Sequence, residues 1–292
     1  MLLINEDFIT TDKVEWLCRT GVEVYTLRTD KIHPVVSGNK WFKLKFYLKE
    51  AIEGNSKAIV TFGGAYSNHI VATAYACKQY GLQSIGIIRG EEPKTYSHTL
   101  QDALNYGMQL HFISRHNYKE KNIPAALQAS GNYFISEGGY GSLGAAGMGT
   151  LQYDKNKFDT ICCSIGSGTM MAGLINAKSE KADALGISVL KNHYELEQEV
   201  ARLIIKKDEQ VNILHDYHFG GYAKYNSRLI RFMNELYEQA GIPTDFVYSA
   251  KLFFAVNDLI EKKYFKQNSK ILVIHCGGLQ GNLSLPKGTL IF

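Results

Sequence analysis

The chain has 292 residues, 45% of them hydrophobic and 21% charged, with a formal net charge of +4; that length allows a large core and two lobes, and the composition excludes a disordered chain. No apolar run approaches the roughly 18 residues of a membrane-spanning helix, and the acidic start Met1-Leu2-Leu3-Ile4-Asn5-Glu6-Asp7 lacks the charge order of a signal peptide, so a cytoplasmic protein is expected. The lysines are scattered without a basic block or an interleaved aromatic platform, so nucleic acid and membrane are not expected as partners, whereas an anionic small molecule suits the weakly basic surface.

Val22 to Leu27 alternates apolar and polar residues like a half-buried strand, and a loop with Pro34 leads to Val36-Ser37-Gly38-Asn39-Lys40-Trp41. Asn39 is expected as the N-cap of a helix from about Lys40 to Glu53, carried by Trp41, Leu44, Leu48 and Ile52 and ended by Gly54. At about 100° per residue, Lys43 lies roughly 60° round this helix from Lys40 and Lys45 roughly 140°, so Lys40 and Lys43 can face one ligand while Lys45 turns away. A free lysine is neutral in only about one molecule in a few thousand at pH 7. A helix N-terminus with a second lysine close by disfavours the cation and suits a nucleophilic lysine. The plainer reading is a solvated basic helix start.

Strand and helix then alternate. Ala58 to Phe62 reads as a strand, Gly63-Gly64-Ala65-Tyr66 as a turn, Ser67 to Gln79 as a helix ended by Gly81, and Ser84 to Ile88 as a strand. A helix around Tyr96 to Asn105, a strand at Leu110 to Ile113, a helix around Pro124 to Ala129 and a strand at Tyr133 to Ile135 follow. Residues 137–149 hold too many glycines for an ordinary helix and are read as a lobe boundary or a ligand-facing loop. Beyond them come a strand at Phe158 to Ser164, a helix at Met170 to Ala177, a strand at Leu185 to Val189, and helices over Tyr194 to Lys206 and Ser227 to Ala240. These two helices bracket a tyrosine- and histidine-rich loop, residues 216–225. A helix after Asp245-Phe246-Val247-Tyr248-Ser249 and a strand at Ile271 to His275 close the chain. The β-α-β-α order predicts an α/β fold, parallel sheets with helices on both faces. Cys18, Cys77, Cys162, Cys163 and Cys276 lack C-x-x-C spacing and sit mostly in apolar runs; buried reduced thiols are expected, and no metal site.

Ser164-Ile165-Gly166-Ser167-Gly168-Thr169 lies between a buried strand and a helix, where free amides and the helix dipole can hold a phosphate. It lacks the Gly-Lys-Ser/Thr of a P-loop and the dinucleotide glycine spacing; an ordinary tight turn is the plainer reading. Gly63-Gly64-Ala65-Tyr66-Ser67-Asn68-His69 likewise opens a helix after a strand, with Ser67 or Asn68 as a cap at least.

A lysine at a helix start, a Ser-Asn helix start and a phosphate cup in the second half resemble the fold-type II, tryptophan-synthase-β-like pyridoxal-phosphate enzymes. Within them, Ser37-Gly38-Asn39-Lys40-Trp41-Phe42-Lys43-Leu44, Gly63 to His69, Glu137-Gly138-Gly139-Tyr140-Gly141-Ser142-Leu143-Gly144, Asp245 to Lys251 and His275-Cys276-Gly277-Gly278 follow the order of the 1-aminocyclopropane-1-carboxylate deaminases and D-cysteine desulfhydrases. The resemblance covers about Val22 to Asn282, and the Gly-Asn-Lys-x-x-Lys-Leu and Gly-Gly-x-x-Ser-Asn pair carries most of its specificity. It implies that Lys40 bonds covalently to pyridoxal 5'-phosphate and later moves the substrate proton, and that Lys43 joins Gly166, Ser167, Gly168 and Thr169 on the cofactor phosphate. Asn68 would hydrogen-bond the cofactor's phenolate oxygen, Ser67 the substrate carboxylate, and Tyr248 with a loop tyrosine, Tyr222 in preference to Tyr225, would lie over the substrate. His69 stands where the deaminases usually carry glutamine, as a substrate contact or only a neighbour.

The resemblance places Ser249 against the pyridine nitrogen, where the deaminases have glutamate and the desulfhydrases a hydroxyl residue. A carboxylate keeps that nitrogen protonated and makes a strong electron sink; a hydroxyl leaves a weaker one, sufficient to expel a good β-leaving group. The expectation is therefore an enzyme with lobes at 45–148 and at 1–44 with 149–292, a homodimer like its relatives, catalysing α,β-elimination on a small amino acid such as D-cysteine to a 2-oxo acid and ammonia. Deamination of 1-aminocyclopropane-1-carboxylate is the alternative among enzymes, and a non-catalytic phosphate-ligand binder the alternative from another class.

Overall fold

The computed structural model describes residues 4–128, 131–206 and 208–292. Met1 to Leu3 of the acidic start, and Ala129 at the end of the expected 124–129 helix, lie outside the described residues. The elements in order are β1 (Thr11–Lys13), β2 (Glu23–Leu27), α1 (Asn39–Glu53), β3 (Ala58–Gly63), α2 (Asn68–Tyr80), β4 (Gln83–Arg89), α3 (His98–Asn105), β5 (Met108–Ile113), α4 (Arg115–Lys119) and β6 (Asn132–Ile135). They continue with α5 (Ser142–Met148), β7 (Thr160–Ile165), α6 (Thr169–Ala177), β8 (Asp183–Ser188), α7 (Leu196–Ala201), β9 (Asn212–Leu214), α8 (Ser227–Ala240), α9 (Ser249–Glu261) and β10 (Lys270–Ile274).

The strands form a four-stranded sheet in the order β5-β4-β3-β6 and a six-stranded sheet in the order β1-β2-β10-β7-β8-β9. Among the described residues, every pairing between these strands is parallel except β1 with β2. The fold class read from the alternation therefore holds, with an antiparallel edge strand that the three-residue Thr11–Lys13 was too short to announce. The central strands carry uninterrupted buried runs, as sheets covered by helices on both faces require: every residue of β3 is buried, and every one of β10 after Lys270.

Three local readings are corrected. The glycine-rich 137–149 passage is not a loop: a single 3-10 turn, Glu137–Gly139, leads into α5. Its glycines serve helix packing, since a side chain at Gly147 would collide with the carbonyl oxygen of Phe42 in α1, and removing Cβ lets the two helices approach backbone to backbone. The 124–129 helix is only a 3-10 turn, Ala125–Leu127, where Pro124 fixes an extended backbone. The 194–206 helix contracts to Leu196–Ala201, where Leu196 and Val200 bury one face and Ile205 stays 83% exposed.

Candidate active site

The carboxyl ends of β2, β3, β7 and β10 point to one crevice, the usual ligand position in parallel sheets. β2 leads to α1, β3 to α2, β7 to α6, and β10 to Cys276-Gly277-Gly278. The ends are tied together: the Asn39 N–H donates to the Cys276 carbonyl at 3.3 Å, and Asn68 Nδ2 to the Gly278 carbonyl at 3.5 Å.

The expected cap of α1 is corrected. Gly38 is the N-cap, with φ 57°, and Asn39 is already the first helical residue. Its side chain has another task, because Lys40 Nζ donates to Asn39 Oδ1 at 2.6 Å. Lys40 is partly buried and burial lowers its pKa from the ordinary lysine value, while the charge of Asp245 opposes that shift. Lys43, only 6% exposed, falls to about 7 through burial and the charge of Lys40. Lys45 turns away to Glu6, at 3.2 Å.

Lys43 Nζ donates to Ser167 Oγ at 3.4 Å, and Ser167 Oγ lies 3.1 Å from Thr169 Oγ1. The start of α1 thus meets the start of α6, whose first-turn N–H groups have no helical acceptor. Gly168, the N-cap of α6, has φ 77°. A Cβ there would lie 2.7 Å from Val200 Cγ2, so its glycine answers to backbone conformation and to α7 packed behind it rather than to a ligand in front. A hydroxyl pair, an ammonium and a helix N-terminus converging on one point suit a phosphate.

Across the crevice, Ser67 caps α2, its side chain accepting from the Ile70 N–H at 3.4 Å. Asn68, with one N–H of its amide on Gly278, keeps a second for a ligand, and its Oδ1 is buried without a partner. His69 is 2% exposed, with Nε2 2.9 Å from Thr61 Oγ1. Thr61 spends its single proton on the Ile135 carbonyl at 2.8 Å, so its oxygen accepts from His69 Nε2–H and leaves Nδ1 bare, buried and unpartnered. Burial first, then the charges of Lys40 and Lys43, hold this imidazole at about 3, so it is neutral.

On the third side, Tyr248 lies under Lys40, whose Nζ is 5.7 Å from its ring centroid. Tyr222 meets Tyr248 edge to face at 6.0 Å, while Tyr225 packs on Phe246 instead, which favours Tyr222 as the loop tyrosine. Burial raises the pKa of both phenols, Tyr248 well above the ordinary value, so both are proton donors near neutrality. Ser249 is fully buried; its hydroxyl donates to Asp245 Oδ1 at 2.6 Å and accepts from the Asp245 N–H at 2.8 Å. Asp245 also accepts from the N–H groups of Val247, Tyr248 and Ser249, at 3.0, 2.9 and 2.8 Å.

The crevice therefore gathers Lys40, Lys43, Ser67, Asn68, Gly166, Ser167, Gly168, Thr169, Tyr222, Tyr248 and Ser249 from five parts of the chain. A lysine with a weakened hold on its proton, a phosphate cup and an unused amide N–H fit the aldehyde, phosphate and phenolate of pyridoxal 5'-phosphate. Sequence reasoning passed over Asp245 and Lys251. An aspartate just before a helix and a lysine directly ahead of the apolar run Leu252 to Val256 were the available signals.

Residues 16–277 match the family model described as pyridoxal-phosphate dependent enzyme. A Thermotoga maritima protein provisionally named 1-aminocyclopropane-1-carboxylate deaminase is 32% identical over 287 residues, 89% of this chain and 90% of its own length. The mitochondrial bifunctional D-cysteine desulfhydrase/1-aminocyclopropane-1-carboxylate deaminase of Arabidopsis thaliana is 30% identical, over 89% of this chain and 73% of its own. The crystal structure of an ACC deaminase homologue superposes with a TM-score of 0.80 at 30% identity, covering 96% of this chain and 92% of that one.

Proposed function

Since the chain belongs to the family of pyridoxal-phosphate dependent enzymes, we propose that it catalyses α,β-elimination on a small amino acid such as D-cysteine, releasing a 2-oxo acid and ammonia. The cofactor, when bound, supplies the electron sink that stabilises a carbanion at the substrate's α-carbon. Lys40 holds it and takes the α-proton, a role that its lowered pKa and the Asn39 Oδ1 contact support. Lys43, Gly166, Ser167, Gly168 and Thr169 hold the phosphate. Asn68 donates to the phenolate oxygen, and Ser67 with the α2 N-terminus receives the substrate carboxylate. Tyr248 and Tyr222, both protonated, position the substrate and give a proton to the leaving group.

The observation that carries the choice of elimination is a serine at 249, where a carboxylate would make the stronger sink. To donate to a neutral ring nitrogen, its hydroxyl turns away from Asp245 Oδ1, which keeps the Ser249 N–H and is not left bare. Deamination of 1-aminocyclopropane-1-carboxylate is the second reading, favoured by the names of the relatives. We further propose lobes at 45–148 and at 1–44 with 149–292, with α1 running between them; a cytoplasmic protein, which suits its five free thiols; and a homodimer, to be tested by light scattering. The functional test is release of 2-oxo acid from D- and L-cysteine, β-chloro-D-alanine and the cyclopropane substrate. Release from the β-substituted D-amino acids is expected, and a preference for the cyclopropane would overturn the reading.

A further inference from the structure

One face of α9 grips the loop that carries Tyr222. Lys251 is 0% exposed, and its Nζ donates to the carbonyl oxygens of His218 and Gly221, each at 2.8 Å. Three residues on, the Phe254 ring meets Phe219 edge to face at 4.9 Å; four further, Asp258 accepts from the Tyr217 hydroxyl at 2.7 Å. Positions 251, 254 and 258 share one helix face, so the grip follows from helical spacing.

The loop it holds is wound against ordinary preference. Phe219, Gly220, Gly221 and Ala223 have φ of 53°, 98°, 123° and 53°, and two of these are residues with a Cβ, which keep such angles only where the surroundings impose them. An ammonium at a fully buried position is costly, and burial lowers the pKa of Lys251 to about 8. A methionine would fill the same space without that cost.

We propose that Lys251 is a positioning residue for the reaction: by holding the His218 and Gly221 carbonyls it fixes the turn before Tyr222, and so sets that phenol against Tyr248, whose own ring lies by Lys40. The inference rests on the assignment of Tyr222 and Tyr248 to the substrate. Lys251 touches neither substrate nor cofactor in this account and acts only through the loop.

The test variant is Lys251→Met, which keeps the length of the side chain and removes its donors. The fold is retained, because the His218 carbonyl still accepts from the Gly221 N–H at 3.0 Å and the Gly221 carbonyl from the Lys224 N–H at 3.2 Å. Hydrogen exchange on the holoenzyme is expected to quicken about tenfold or more at residues 219–224 and to stay unchanged in β7 and α9. The cofactor's visible absorbance is expected to persist while kcat falls roughly ten- to hundredfold, the scale of a misplaced catalytic group. In a Tyr222→Phe background the same change should cost nothing further, since both substitutions remove one function. Unchanged exchange in the loop, or losses that multiply in the double variant, would overturn the proposal. Full turnover in Tyr222→Phe alone would instead remove the tyrosine from the reaction and with it the catalytic half of this inference, and loop exchange would still decide whether Lys251 is the clamp.

Discussion

Ser249 and Asp245 bind each other three times, Ser249 hydroxyl to carboxylate at 2.6 Å, Ser249 N–H to carboxylate at 2.8 Å and Asp245 N–H to the Ser249 hydroxyl at 2.8 Å, in a place that solvent does not reach. The pair closes the start of α9, and two further N–H donors, of Val247 and Tyr248, leave Asp245 fully satisfied. The position that the resemblance assigns to choosing the chemistry is thus also a structural joint.

A glutamate at 249 would set two carboxylates side by side in this buried box. Ser249→Glu is expected to destabilise the fold by about 3 kcal/mol or more, the scale of an uncompensated buried charge, and Asp245→Asn in the same chain should recover much of it. Ser249→Ala loses one bond to an anion and is expected to cost about 1.5–3 kcal/mol. Urea unfolding of the set measures both. An unaffected Ser249→Glu midpoint would contradict the box.

Lys40→Ala is expected to abolish both turnover and the visible absorbance of lysine-bound cofactor, with an unchanged far-ultraviolet circular dichroism spectrum. Lys40 is partly buried beside the crevice, and truncating it breaks the contact to Asn39 Oδ1 and the approach of its ammonium to the Tyr248 ring. Retained absorbance in this variant would move the anchor elsewhere.

Lys43 gives a pH signature. In the cofactor-free protein its pKa is about 7, so at pH 8 it is mostly neutral and at pH 6 mostly charged. A phosphate dianion beside it favours the ammonium, so binding of cofactor should take up more protons at pH 8 than at pH 6, where Lys43 is already charged and the phosphate, with a second pKa of about 6, gives up part of a proton on binding as the dianion. Calorimetry in two buffers of different ionisation enthalpy counts those protons. Lys43→Met should bind more weakly and show no such uptake.

His69 predicts an acid sensitivity. Its folded pKa is about 3 against an ordinary 6.5, so below pH 6.5 the unfolded chain binds a proton that the folded one refuses. Stability should fall by up to about 1.4 kcal/mol per pH unit between 6.5 and 3 from this residue alone. His69→Gln should lose less stability between pH 7 and pH 4.5 than the parent, compared by urea midpoints. Equal slopes would mean that the imidazole is not sealed as the Thr61 and Ile135 contacts imply.

Gly168→Val should be poorly tolerated, since φ 77° disfavours any β-branched residue and Val200 Cγ2 occupies the space a Cβ needs. A loss of about 1–3 kcal/mol in stability, with weaker cofactor retention as the α6 start shifts, is the expected result. Normal thermal unfolding and normal cofactor affinity would count against it.

Much of this was legible in the chain. Apolar runs such as Ala58 to Phe62 marked the buried strands because both sheet faces are covered, and Ser67 and Gly81 bounded α2 as cap residues do. The glycines of 137–149 misled because glycine answers two different demands, flexible backbone and close helix packing, and only the position of Phe42 tells them apart. Asn39 misled similarly: a good cap in sequence, it was displaced by Gly38 because the left-handed backbone turn came one residue earlier. The tautomer of His69 depended on Ile135, far along the chain, and no local pattern contains it.

The thiols around the crevice have one more consequence. Burial pushes Cys276, beside the α1 start, up to about 11, and Cys163 up to about 12. Disulfide exchange proceeds through the thiolate, and at neutral pH these side chains offer almost none. The sulfur atoms of the cleft therefore stay spectators, and a small disulfide that enters it finds no thiolate with which to form a mixed disulfide.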